Sequence, residues 1–157
     1  MKKMKTTPLF AIVGGLFLAV ACSSDDDSSS SNNPTPTQVT NTVTSGTWRI
    51  TSYLDNGQDE TYHFTNYNFN FAANNVLTAN NGTNNYSGIW SVTNDDSDDD
   101  SPSNDVDFNI LFSTSTPASF QDLTDDWDIL EITNSKIRLR DVSGGDGDTD
   151  FLTFEKN

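Results

Sequence analysis

The chain has 157 residues and carries 8 Lys and Arg against 23 Asp and Glu, a net charge of −15. Binding to phosphate backbones needs clustered Lys and Arg, so nucleic acid is excluded as a partner. One histidine, one cysteine and no serine in a nucleophile elbow leave zinc sites and catalytic triads without parts, so the chain reads as non-catalytic. A glycoside-cleaving carboxylate pair has no sequence spacing of its own, and is the one catalytic arrangement left open.

Residues 1–21 read as a signal peptide. Lys2, Lys3 and Lys5 precede an apolar stretch from Leu9 to Ala21, which is too short for a bilayer span of about 20 residues and ends in small residues. Leu18-Ala19-Val20-Ala21-Cys22 resembles the lipobox of bacterial lipoproteins, with the leucine one place further out than usual. That resemblance implies cleavage before Cys22, a diacylglyceryl thioether on its sulfur and a membrane partner through that lipid. A lone cysteine in an exported chain otherwise lacks a partner. Ser23-Ser24-Asp25-Asp26-Asp27 resembles the acidic tags of surface lipoproteins in some Gram-negative bacteria, which implies an outer-membrane location exposed at the cell surface, with a periplasm-facing one as the alternative. Loss of the three signal lysines leaves 5 basic residues against 23 acidic, or −18.

Residues 22–44 are Ser, Asp, Asn, Pro and Thr with almost nothing apolar, the composition of a disordered tether. Residues 45–157 form one domain. No stretch of ten residues has apolar positions at helical spacing, whereas period-two alternation recurs, as in Tyr67, Phe69, Phe71 and in Val106, Phe108, Ile110, Phe112. Strands are predicted over 46–54, 67–72, 76–80, 86–93, 105–113, 127–133, 136–141 and 150–156, with turns at Asn74-Asn75, Asn81-Gly82, Asn134-Ser135 and Gly144-Gly145 and a helical turn over 120–126. Eight short strands with mostly tight links predict an all-β, antiparallel up-and-down barrel, monomeric. Ser45-Gly46-Thr47-Trp48 is echoed 42 residues on by Ser87-Gly88-Ile89-Trp90, two glycine-led strands with an inward tryptophan rather than a repeat. Gly46-Thr47-Trp48 at the first strand resembles the lipocalin motif, and Trp90, "WDILEI" at 127–132 and "TDFLTFEK" at 149–156 agree with it. Lipocalins place an arginine late in the chain over the motif's tryptophan; Arg138, Arg140 and Lys156 are the candidates for that place in this chain.

An eight-stranded barrel is either just filled by side chains or just large enough for one small ligand. Trp48, Phe69, Phe71, Trp90, Phe108, Ile110 and Phe112 are therefore either core or the lining of a site for a small apolar molecule. Up-and-down connectivity gathers loops 55–66, 81–85, 114–126 and 142–149 at one mouth, with Asp59, Glu60, Asp122, Asp125, Asp126, Asp146, Asp148 and Asp150. Asp146, Asp148 and Asp150 match positions one, three and five of a calcium loop, but Phe151 stands where its glycine belongs. The alternative to a cavity is a surface module that offers acidic loops to a protein, a glycan or calcium. His63 is expected in a surface loop.

Overall fold

The structure is a computed structural model that describes residues 34–94, 106–142 and 148–157. Among the described residues, nine antiparallel strands make one sheet: β1 (Thr47–Asp55), β2 (Gln58–Asp59), β3 (Asn68–Phe71), β4 (Val76–Asn80), β5 (Asn85–Asn94), β6 (Val106–Phe112), β7 (Asp125–Ile132), β8 (Lys136–Val142) and β9 (Thr149–Lys156). β2 is a two-residue return on β1; the other eight pair in chain order, and β9 pairs back onto β1. The barrel is closed, as the strand pattern predicts.

Alternation explains the register. Along β6, Val106, Phe108, Ile110 and Phe112 are buried while Asp107, Asn109 and Leu111 are not, and Phe108 stands opposite Trp127 on β7 with both inside. Two bulges, between Ile50 and Ser52 on β1 and between Ile129 and Glu131 on β7, shift the phase of the pattern. Asn56-Gly57 turns β1 into β2 with φ of 45° and 77°, the doubly positive geometry that an Asn-Gly hairpin supplies. The loop expected over 55–66 thus begins as a short hairpin.

Both ends of the barrel are covered by short helices. At the end where β1 begins lies α1 (Pro36–Val43), which buries Val39 and Val43 in the common core and packs against β5. This corrects the expectation of a tether through residue 44. Thr35 and Gln38 form a capping box with proline in the first turn, and two valines one turn apart suffice to dock the helix. Residues 22–33 of the expected tether, and the expected signal peptide with Cys22, lie outside the described residues. At the other end α2 (Ala118–Gln121) precedes Leu123, and a 3-10 turn spans Thr61–Phe64; both insert apolar side chains.

Both glycine-led strands place their tryptophan inside. Trp48 Nε1 donates to the carbonyl of Val43 at 2.8 Å and Trp90 Nε1 to that of Ala72 at 2.9 Å. Lys156 lies over the Trp48 ring, its Nζ 5.3 Å from the centroid. A lysine, Lys156, therefore stands where an arginine is expected, and neither Arg138 nor Arg140 does.

Candidate functional site

Every residue proposed from the sequence as a cavity lining is buried: Trp48, Phe69, Phe71, Trp90, Phe108, Ile110 and Phe112. Their rings pack on one another. Phe71 meets Trp90, Phe108 and Phe154 at centroid distances of 5.4–5.6 Å. Phe154 continues to Phe69, and Phe69 to Phe120. Phe120, on α2, meets Phe64, Tyr67, Tyr86 and Phe112 within 5.3 Å and is 1% exposed. Phe64 then reaches Tyr53, and Tyr53 reaches Trp127. Ring contacts thus run from one end of the barrel to the other, and α2 stoppers the mouth.

The rim at that mouth is acidic. Tyr53 donates its hydroxyl to the carbonyl of Asp122 at 3.0 Å. Burial, and then the nearby carboxylates of Asp55, Asp150, Asp122 and Asp125, push that hydroxyl well above the usual tyrosine range. Asp125, Asp126 and Asp141 bring carboxylate oxygens within 4.8 Å of one another. Burial, together with the side chain of Asp126, pushes the Asp125 carboxyl up to about 6. Of the calcium-loop residues expected from the sequence, Asp146 lies outside the described residues, and Asp150 accepts the Asn56 backbone N–H at 2.8 Å. The acidic trio among the described residues contains neither Asp148 nor Asp150. His63 is in the 3-10 turn, part-exposed and 3.1 Å from Glu60.

On the outer wall, Val76, Ile89 and Leu111 stand side by side in register across β4, β5 and β6, and all three are exposed.

A second surface feature lies in the wall between β1 and β3. Their ladder consists of Thr47 opposite Asn70 and Trp48 opposite Phe69, and β2 takes up β1 only from Leu54. From Arg49 to Ser52 neither strand pairs with that edge of β1. The 3-10 turn bridges the gap: Thr61 Oγ1 accepts the Tyr53 N–H at 2.8 Å and Phe64 fills the core behind it. Outside remains a cleft of about 510 Å³ with Ile50, Phe64 and Tyr67 at its floor. Arg49, Thr51, Thr61, Thr65, Asn66, Asn68 and Asn157 form its walls. A hydrogen-bonded line stiffens one wall. Arg49 Nη1 donates to the Lys156 carbonyl at 2.9 Å and to Asn157 Oδ1 at 3.4 Å, and Nη2 donates to Glu155 at 3.1 Å. Asn157 Nδ2 donates to Asn68 Oδ1 at 2.7 Å. None of these residues is marked as functional by the sequence, where they read as strand flanks and turn formers.

No protein-family model matches the sequence, and no curated protein matches it. Among solved structures, the chain is similar to a DUF4847 family protein from Bacteroides vulgatus ATCC 8482, with 14% identity over 76% of this chain and 97% of that one, at a TM-score of 0.46.

Proposed function

We propose that the chain is a lipid-anchored, non-catalytic module of a bacterial outer membrane whose lipocalin-like barrel binds on its outside rather than within. One observation carries the choice: aromatic ring contacts run through the interior from end to end, and Phe120 sits buried among the rings at the mouth. A ligand for that interior would have to displace packed rings, each worth a few kcal/mol of burial. Binding on the wall or the rim asks for no such rearrangement. In this reading Cys22 carries the lipid, the Ser- and Asp-rich segment after it holds the barrel off the membrane, and the barrel faces the cell exterior.

Two measurements test the reading. A long-chain fatty acid analogue that fluoresces in apolar surroundings should show no saturable binding to the full-length protein; stoichiometric uptake, with energy transfer from Trp127, would restore the cavity reading. Mass spectrometry of protein from the membrane fraction should find a diacylglyceryl thioether on Cys22, and Cys22→Ala should leave the membrane fraction. An unmodified sulfur there would remove the anchor.

A further inference from the structure

We infer that the cleft between β1 and β3 is a binding site for a short neutral oligosaccharide. The inference rests on the outer-surface reading above and gives it a place and a ligand chemistry. The cleft volume of about 510 Å³ lies within the range of small-molecule sites. Its walls sort the possible ligands by chemistry.

None of the side chains lining the cleft is a carboxylate, in a chain of net charge −15. A cation would be drawn instead to the acidic rim. An anion would meet the repulsive field of the whole molecule, and the one guanidinium here, Arg49, already faces Glu155 at 3.1 Å. An apolar ligand would cover Thr51, Thr65, Asn66 and Asn68 without satisfying them. An extended peptide adding as a strand would need regular alternation along β1, which the bulge between Ile50 and Ser52 breaks. A neutral ligand dense in hydroxyls, each able to donate and accept, is what remains.

The site is also set in advance. Because Asn68 Oδ1 accepts a hydrogen bond from Asn157 Nδ2, the Asn68 amide is held with its own Nδ2, a double donor, turned the other way. Asn66 keeps a left-handed φ of 67°, a backbone state that asparagine tolerates well. Planar amide and guanidinium groups beside threonine hydroxyls match neighbouring hydroxyls on a sugar ring, and fixed side chains lower the ordering cost of binding.

The test is a residue-resolved NMR titration of the full-length chain with cellobiose, maltose and N,N′-diacetylchitobiose. At least one disaccharide should shift the amides of Thr51, Asn66, Asn68 and Asn157 saturably, with affinity in the millimolar range. Asn68→Asp keeps the acceptor for Asn157 but loses both donors and adds charge, so it should weaken binding by about tenfold or more at an unchanged melting temperature. Thr51→Val is the second, uncharged variant and should weaken it by less. The site is overturned if no disaccharide moves these amides, or if both variants bind like the parent. Shifts confined to the acidic rim would overturn the cleft while leaving the outer-surface reading intact, whereas saturable uptake of the fatty acid analogue would overturn that reading itself.

Discussion

A Cβ on Gly46 would sit 2.9 Å from Lys156 Cε, so the bare backbone there is what lets the lysine stem lie along the strand and bring its ammonium over Trp48. Gly88, in the matching place before Trp90, is tighter and less forgiving: its Cβ would meet the Leu111 carbonyl oxygen at 2.6 Å. A flexible side chain can swing aside; backbone in a ladder cannot. Gly46→Ala and Lys156→Ala should therefore each cost about 0.5–1 kcal/mol, with little further loss in the double variant, because both remove the same cation–π contact. Gly88→Ala should cost more, about 1–3 kcal/mol. Urea unfolding of the four variants checks both statements. Asp125 gives the pH dependence. Its carboxyl is held near 6 in the folded chain against an ordinary 3.8. The folded state thus binds more protons than the unfolded one between those values, and stability falls as pH rises through that window. Asp125→Asn should stabilise the fold at neutral pH by roughly 1 kcal/mol, the shift being discounted because the group is only part-buried. The gain should vanish below about pH 4 in melting curves taken across the range.

At the scale of elements, strands were legible and short helices were not, for a physical reason. A strand with one wet face must alternate, and Phe69-Asn70-Phe71 or Val106 to Phe112 does so openly; the eight long strands fall within about two residues of their predicted ends. Helix α1 displays only Val39 and Val43, too few for a periodic signal, and its visible mark was the local one of Thr35-Pro36 with Gln38. Asn56-Gly57 carried an equally local signal for the β1–β2 hairpin. Of the surface cleft almost nothing was legible. Its walls come from β1, the 3-10 turn, β3 and Asn157, and only the failure of β1 to follow β3 brings them together. The packing of α2 was half legible, since a helical turn near Phe120 was expected but not that its ring would plug the mouth. Phe120→Ala should cost about 3–5 kcal/mol and leave a hole at the mouth. It should also confer uptake of the apolar fluorescent probe that the parent is expected to exclude, which makes the plug measurable apart from stability.

The whole molecule is closed by its most distant pairing. β9 runs antiparallel to β1, Asn157 N–H reaches the Thr47 carbonyl at 3.0 Å, and Lys156 Nζ reaches Ser45 Oγ at 2.8 Å. Every other ladder joins consecutive strands, or, for β1 and β3, strands separated only by the short β2, so this one carries most of the loop-closure entropy of the fold. It also means that the barrel has no privileged first strand. Helix α1 is only about 12 Å long, so a polar linker of roughly eight residues could join Asn157 to Pro34. The chain could then be reopened at the turn that follows Asn81, where Gly82 and Thr83 are exposed. Such a circular permutant should fold to the same cylinder with a similar melting temperature and move both new ends to the opposite rim. The cylinder could then be hung from either pole.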